Sequence, residues 1–563
     1  MACPAAGIRT PFAGDAAQIG ASTRRAAGNG RKSGESDRSK NKRKRIRRRN
    51  GAYAAHISVG NHKNHLRERS MTRKAKLMLN SASSLIYQLI TIICGFVLPR
   101  LFLSYYGSAV NGLVTSVTQF LGFISLAECG VGAVVQSALY KPLADNDMAS
   151  VSRIVVSSER FFRKVAWLLL GYTAVLMVVY PLITLDTFDF LFTLVLIFVI
   201  SISSFAQYYL GMTYKLLLNA DQLGYIQYII HSAALVLTTV CCILLVRSGA
   251  SIQLVKLTTS LIFLIQPILL AVIAKKKYKI DHHIRYTEEP IRQKRNGLAQ
   301  HIATVVLGNT DTVVLTLLST LENVSVYAVY HLVVNGVKQI VVSLTNGMQA
   351  MLGNMLAKNE TETLRRSFDR IEWLLHTVVT LVFSVTAVLI VPFVRVYTAN
   401  VTDADYIVPA FAYLITLAQA SYCLRLPYNI MVLAAGHYKE TQWSAIIEAG
   451  INILLSVILV FRFGLIGVAI GTLAAMVYRT VYLALYLSRH ILCRKFRYFV
   501  RHICTDALSV ALLLGAVHLF PAFFEMAKVS YGAWFVLALK VGAVALAAMV
   551  LVNAVMYRRE LAG

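Results

Sequence analysis

The sequence has little charge for its length, and acidic residues are the scarcer kind. Only 15% of its 563 residues are charged, whereas soluble proteins of ordinary composition have about 25%. Hydrophobic residues make up 57% of the chain. Because so few charged side chains cannot cover a soluble globule of this size, a water-soluble enzyme is nearly excluded and a membrane protein is indicated.

The charge that is present is mostly basic, with 56 Lys and Arg against 27 Asp and Glu. Nucleic-acid-binding proteins share such an excess, but they carry it on the face of a soluble domain. Here the apolar body of the chain favours a membrane protein with basic loops on one side of the bilayer. We therefore expect membrane lipids around the chain and no nucleic-acid partner.

Motifs for metal binding and catalysis are also scarce. The cysteines form no CxxC pair, so neither a metal nor another cofactor is expected. Asp403 and Asp405 resemble a metal-binding DxD pair, but they fall in a short loop, and two spaced acids are common by chance. Gly464, Gly467 and Gly471 indicate helix packing rather than a phosphate loop, since no strand precedes them. The chain is not expected to be an enzyme.

Residues 1–70 differ from the rest, with 17 Lys and Arg but few large apolar residues. They lack the apolar stretch of a signal peptide. We interpret them as a disordered basic tail or an over-extended start with Met71 as the natural first residue, and a tail for nucleic acid or anionic lipid is the alternative. A chain beginning at Met71 is expected to insert and transport normally. Membrane fractionation checks this, and loss of insertion would show that the tail has a role.

Long apolar segments follow one another from about Leu77. A membrane-spanning helix needs about 20 mainly apolar residues, whereas the strands of a barrel would be shorter and would alternate. The sequence predicts an all-α polytopic membrane protein with about 14 transmembrane helices. Their approximate bounds are 79–104, 108–138, 164–185, 190–214, 224–246, 252–274, 298–318, 325–356, 373–396, 406–434, 441–461, 465–488, 503–522 and 531–556.

Lys and Arg concentrate in alternate connections, which places those connections and both termini on the cytoplasmic side of the cell membrane. The most basic connections are 141–164, 275–295, 358–370 and 489–501.

This topology is testable by labelling introduced cysteines in intact cells. Positions 186–189 and 398–404 are expected to react with an impermeant reagent from outside, and positions 283–293 only after permeabilisation. A 283–293 segment that reacts from outside would overturn the division of the chain into two halves.

A weak internal repeat supports two halves. Leu218–Gln227 aligns without gaps on Leu433–Gln442, and Arg247 meets Arg462 at the same offset of 215 residues. This offset equals six helices with their loops, so the halves would be parallel repeats with the substrate path between them. The predicted parts are a tail (1–70), an N-terminal six-helix lobe (71–274), a basic cytoplasmic linker (275–297), a C-terminal six-helix lobe (298–490) and two additional helices with a short tail (491–563).

Polar residues follow one face of the first, second, seventh and eighth predicted helices at steps of three and four. Such a face should meet protein or water rather than lipid. It could form hydrogen bonds inside a tight bundle, but its recurrence on equivalent helices of both halves favours a shared hydrated cavity. The candidate cavity residues are Gln88, Thr118, Glu128, Asp311, His331, Asn335, Lys338 and Arg425.

Charged residues at membrane depth are functional candidates. Cationic Lys338 and Arg425 would suit an anionic phosphate group. The alternative is a structural ion pair, such as one between Asp311 and Lys338. For Glu448 and Arg479 the structural interpretation is favoured.

Short motifs suggest a family. The segments are Leu98-Pro-Arg-Leu-Phe102, Tyr106-Gly107, Leu139-Tyr-Lys-Pro-Leu-Ala-Asp145 and Asn309-Thr-Asp-Thr-Val-Val-Leu315. Over about 77–490 the chain resembles Wzx-type polysaccharide repeat-unit flippases of the multidrug/oligosaccharidyl-lipid/polysaccharide exporter (MOP) superfamily. This resemblance implies alternating access by two lobes, with an undecaprenyl-pyrophosphate-linked oligosaccharide as cargo. It also implies H⁺ or Na⁺ as a coupling ion, and a polysaccharide polymerase and glycosyltransferases as partners.

Two other classes stay open. A multidrug or organic-cation antiporter of the same superfamily would be expected to have an acidic cavity. A membrane-embedded glycosyltransferase or polymerase would need a sizeable outer loop for its site, whereas the predicted outer loops have only about four to twelve residues.

Overall fold

A computed structural model describes residues 73–128, 130–284, 298–345 and 348–557, and within these ranges all regular structure is helical. The predicted tail and most of the predicted 275–297 linker lie outside the described residues. The expected fold class, an all-α polytopic membrane protein, is confirmed.

The first half of the described chain contains eight α-helices and one π-helical turn, Gln207–Gly211. The α-helices are α1 (Arg73–Gly122), α2 (Ser125–Glu128), α3 (Val131–Ala144), α4 (Met148–Ile183), α5 (Phe190–Ala206), α6 (Met212–Ala220), α7 (Gly224–Arg247) and α8 (Ile252–Lys277).

The second half continues with helices separated by short connections. They are α9 (Leu298–Leu318), α10 (Leu321–Leu344), α11 (Met348–Ala357), α12 (Thr361–Tyr397), α13 (Pro409–Leu424), α14 (Leu426–Ala434), α15 (Tyr438–Phe463), α16 (Leu465–His490), α17 (Arg497–Leu519), α18 (Pro521–Phe524) and α19 (Tyr531–Met556).

Twelve helices in the described part of the chain are long and apolar enough to cross a membrane. One of them, Met78–Glu128, has 51 residues and covers the first predicted span and most of the second. The tenth predicted span, 406–434, is divided into α13 and α14 and falls outside the twelve. The twelve candidates therefore correspond to thirteen of the fourteen predicted passes.

The break between the first two passes lies at Gly107 of α1, where φ is +82° and ψ is 176°. This backbone conformation favours glycine because it has no Cβ. A Cβ at Gly107 would also lie 2.8 Å from a carboxylate oxygen of Asp403. Further along α1, a Cβ at Gly112 would lie 1.9 Å from the carbonyl oxygen of Leu321, so glycine permits close approach of α1 to α10.

The break in the tenth pass lies at Arg425, between α13 and α14. Pro427 stands at the start of α14, where it lacks the N–H that a continuous helix would use. The arginine thus sits where one helix ends and the next begins.

Some predicted boundaries are wrong. The second span was expected to run continuously over 108–138, but α1 ends at Gly122 and left-handed Gly130 (φ +68°) precedes α3. The third and ninth helices begin earlier than predicted, at Met148 and Thr361, because polar turns continue as helix beyond the apolar runs. The predicted 325–356 segment is divided into α10 and α11.

Buried apolar side chains form clusters that largely follow the two halves. The largest cluster draws on residues from Phe102 to Tyr278, with Leu321 as its sole member from the second half. Two others lie in the second half, with Leu103 the exception. A further cluster, which includes Leu389, Leu513 and Val541, packs α17 and α19 against α12. The division into two lobes and two additional helices remains a prediction.

Large apolar side chains also cover the outside of the described helices. Leu85, Leu244, Phe461 and Val555 are each more than 60% exposed. An apolar surface this extensive is unfavourable in water but suits the hydrocarbon of a bilayer.

Hydrogen bonds join the two halves beside the Gly107 break, in a group that we call the clasp (Ser108, Asn111, Ser325, Asp403 and Tyr406). The Asp403 carboxylate accepts hydrogen bonds from the backbone N–H (2.6 Å) and hydroxyl (2.7 Å) of Ser108. The Tyr406 hydroxyl lies 2.7 Å from Ser108 Oγ and 2.8 Å from Ser325 Oγ, and Asn111 Nδ2 donates to Ser325 Oγ (2.8 Å).

Candidate functional site

A cavity of about 200 Å³, which we call the charged cavity, lies among helices α9, α10, α13, α14, α15 and α16. Four of the predicted site residues line it: Asp311, His331, Lys338 and Arg425. They come from two separate helices, α9 and α10, and from the break at Arg425. The structure therefore brings together half of the predicted residues, and their role in binding stays a prediction.

Asp311 is buried and is held by neutral hydrogen-bond donors. Its carboxylate accepts from the hydroxyls of Thr472 (2.8 Å) and Tyr327 (3.1 Å) and from the amide of Asn452 (3.1 Å). Within the described residues it forms no ion pair with Lys338, so the geometry does not support the alternative of a structural pair. The buried amide oxygen of Asn452 has no hydrogen-bond partner there.

Arg425, Glu448 and Arg479 form a buried ion-pair network that we call the arginine–glutamate triad. One carboxylate oxygen of Glu448 pairs with Arg425, and the other pairs with Arg479 at 2.8 Å. The structural interpretation of Glu448 and Arg479 agrees with this pairing, yet both residues also line the charged cavity.

The ring of Tyr422 lies beneath two cations. The Lys338 ammonium is 5.0 Å and the Arg425 guanidinium 4.4 Å from the ring centroid. The negative face of an aromatic ring attracts cations, so Tyr422 favours the presence of both charges here. His331 is stacked on the ring of Tyr327 with a centroid distance of 5.4 Å.

The described charges of this cavity do not cancel. Three cations (Lys338, Arg425 and Arg479) face two carboxylates (Asp311 and Glu448). Glu448 is shared by both arginines, and Lys338 has no carboxylate partner within the described residues. Lys338 could attract an anion, whereas the oxygens around Asp311 could hold a small cation.

The other predicted residues lie elsewhere. Gln88, Thr118, Glu128 and Asn335 are not among the residues that line the charged cavity. The Thr118 hydroxyl donates to the carbonyl of Val114 in its own helix (2.7 Å). Glu128 accepts a 2.5 Å hydrogen bond from the Tyr208 hydroxyl.

Sequence reasoning missed Tyr422, Asn452 and Thr472. A signal was present for Asn452, since Glu448, Asn452 and Ser456 are spaced four residues apart and follow one face of α15. Tyr422 stands three residues before Arg425, which is a local signal for that contact, whereas its contact with Lys338 joins two helices and had none.

The described residues contain no cluster of three or more His, Cys, Asp or Glu suited to a metal ion. The DxD-like pair is used within the protein, since Asp403 belongs to the clasp and Asp405 accepts from the backbone N–H of Ile407 (2.9 Å).

The helices and cavity define an all-α polytopic membrane protein. No protein-family model and no curated protein sequence matches the chain. Among solved structures, the chain is similar to one described as lipid II flippase MurJ in an inward closed conformation, with TM-score 0.62 and 14% identity over 86% of this chain and 100% of that one. It is also similar to an inward-facing multidrug resistance MATE family transporter of the MOP superfamily, with TM-score 0.55 and 14% identity over 72% and 98% of the two chains. At these identities the likeness shows a shared fold.

Proposed function

We propose that this protein flips lipid-linked oligosaccharide repeat units, carried on undecaprenyl pyrophosphate, from the cytoplasmic to the outer leaflet of the bacterial cell membrane. The observation that carries this proposal is the excess of cations in the charged cavity. A pyrophosphate would supply the charge that Lys338 lacks, and charge-assisted hydrogen bonds to phosphate are among the stronger polar contacts.

Alternating access would move the head group between the two lobes. In this proposal the 71–274 and 298–490 lobes are parallel repeats that rock against each other. The clasp holds them together at one end, which would be the outer end if both termini are cytoplasmic. Breaking the contacts of Asp403 and Tyr406 with Ser108 would then accompany opening to the outside.

Coupling would take place at Asp311. A buried carboxylate without a cationic partner is costly to keep charged. A bound Na⁺ or a proton would remove that cost, and the oxygens of Asn452 and Thr472 are of the kind that hard cations prefer. The unpartnered amide oxygen of Asn452 supports the same interpretation.

Asp311→Asn is expected to remove ion coupling, because the amide keeps the shape of the side chain but neither takes a proton nor neutralises Na⁺. Transport driven by an imposed Na⁺ or proton gradient should fall roughly tenfold or more, measured in proteoliposomes. Thr472→Ser keeps the hydroxyl and serves as the control. An unchanged response to both gradients would exclude Asp311 as the coupling site.

The flippase proposal is tested with the purified full chain in proteoliposomes. A fluorescent oligosaccharide attached to a polyprenyl pyrophosphate is placed in both leaflets, and an impermeant quencher reports movement between them. Added protein should make all of the label accessible to the quencher. Protein-free vesicles are the control, and movement no faster than in those vesicles would refute the proposal.

The buried carboxylate of Asp311 also favours a second candidate, export of organic cations. The same vesicles test this with ethidium and an imposed proton gradient. Gradient-driven ethidium movement without movement of the labelled lipid would favour the antiporter. In the cell, flippase activity would place the protein beside a polysaccharide polymerase and glycosyltransferases.

A further inference from the structure

A second cavity, which we call the first-half pocket, lies within the N-terminal half, away from the charged cavity. It has a volume of about 290 Å³ and is bounded by α1, the end of α5 with the π-helical turn, α6, α7 and α8. Its principal polar lining consists of Tyr87, Thr91, Gln207, Lys215, His231 and Gln266.

The two cavities occupy equivalent places in the internal repeat. At an offset of 217 residues, Tyr87 and Thr91 correspond to Thr304 and Gly308, and all four line the cavity of their own half. At an offset of 215 residues, Gln207 and Gly211 correspond to Tyr422 and Leu426, which again line the two cavities. The first-half pocket is therefore a counterpart of the charged cavity with different side chains.

The difference between them is electrostatic. Two carboxylates line the charged cavity, whereas none of the described residues lining the first-half pocket is acidic. Lys215 is half-buried in the pocket and forms no ion pair within the described parts of the chain. Glu128 is close enough to interact with Lys215 electrostatically, but its carboxylate is bound to the Tyr208 hydroxyl and lies outside the lining.

The other polar side chains of the first-half pocket can donate hydrogen bonds near the Lys215 ammonium. Gln207 belongs to the π-helical turn, a local widening that is frequent at functional sites. Gln266 and His231 hydrogen-bond to each other across α8 and α7, which fixes their positions in the wall. A Cβ at Gly211 would lie 2.7 Å from Pro267 Cβ, so the π-helical turn packs tightly against α8.

We propose that the first-half pocket binds a phosphate or pyrophosphate anion, with Lys215 as its charge partner and the Gln207 and Gln266 amides as hydrogen-bond donors. The anion could be free in solution or could be the head group of a lipid. This site does not depend on the proposed flippase activity, because it would bind such an anion whatever the chain transports.

Calorimetric titration of the purified full chain tests this with two probes, inorganic pyrophosphate and farnesyl pyrophosphate. Lys215→Gln keeps a polar side chain but removes the charge. It should therefore weaken the affinity for whichever probe the wild-type protein binds roughly tenfold or more. Lys215→Arg should retain most of the affinity. Lys256→Gln is the matched control, because Lys256 is a half-buried cation of the same half that contacts the Phe102 ring (4.5 Å) outside the pocket.

Binding of either probe that depends on Lys215 but not on Lys256 would support the site. Equal affinity for both probes would indicate a free anion, and tighter binding of farnesyl pyrophosphate would indicate a lipid head group. Wild-type affinity in Lys215→Gln, an equal loss in Lys256→Gln, or no binding of either probe would overturn the proposal.

If Lys215→Gln fails to fold, Gln207→Ala is the second variant and should also weaken binding. Lys338→Gln separates the two cavities, since it should impair transport and remove any binding of the probes at the charged cavity, while the binding that depends on Lys215 remains.

Discussion

Lys338→Ala is expected to lose most lipid-linked oligosaccharide transport while the protein remains as abundant as wild type. Lys338 has no carboxylate partner within the described residues, and its ammonium contacts the ring of Tyr422. Removing it therefore leaves no buried carboxylate unpaired. A hydrogen bond to a charged group contributes about 1.5–3 kcal/mol, so transport should fall roughly tenfold to a hundredfold. The quenching assay gives the rate, and immunoblotting of membranes gives the abundance.

Two control variants sharpen this result. Lys338→Arg should keep part of the activity because it keeps the charge, and Lys358→Ala removes an exposed lysine of the same half and should change nothing. Recovery of Lys338→Ala by a second change, Asp311→Ala, would contradict the substrate role and favour an Asp311–Lys338 ion pair. A collapse in abundance of Lys338→Ala would show that the residue is structural.

Glu448→Ala is expected to destabilise the protein more than any other single change considered for the charged cavity. The Glu448 side chain is 2% exposed and is the shared partner of Arg425 and Arg479. Its loss would leave two buried guanidinium groups without a carboxylate, and breaking a buried ion pair costs about 3–5 kcal/mol. Thermal unfolding in detergent should show a clearly lower Tm.

The control for this variant is Glu440→Ala, which removes an exposed carboxylate from the first turn of the same helix, α15. Adding Arg479→Met to Glu448→Ala should recover part of the lost stability, because it removes one of the two unpaired charges. An unchanged Tm with lost transport would instead assign Glu448 a direct part in transport.

Substitution of Arg425 is expected to affect both anion binding and stability, so it cannot separate the two. The sequence placed it in a cavity as an anion-binding residue, and the structure places it in the cavity but also in the arginine–glutamate triad. Arg425→Ala would therefore lower stability and transport together. Lys338 is the cleaner test of anion binding because it has no such pairing.

The sequence by itself determined the membrane class, the places of most of the long apolar helices and one face of the site. Runs of about 20 apolar residues specify spanning helices wherever they fold, and the 3.6-residue helical period places Tyr327, His331 and Lys338 on one side of α10. The apolar runs and the helical period are local properties of the chain, so they can be predicted without knowing which helices pack together. Boundaries failed where glycine or polar turns decided them, as at Gly130 and Met148.

Only the tertiary structure decided which charges are paired. Asp311 is held by Asn452 and Thr472, which are 141 and 161 residues away along the chain, and Arg425 pairs with a carboxylate on the next long helix. The pairing of a side chain depends on how helices pack and rotate against each other, and a period within one helix does not specify that. For the same reason Lys215, a residue near the end of a predicted span, becomes the charged residue of a pocket only when four other helices close around it.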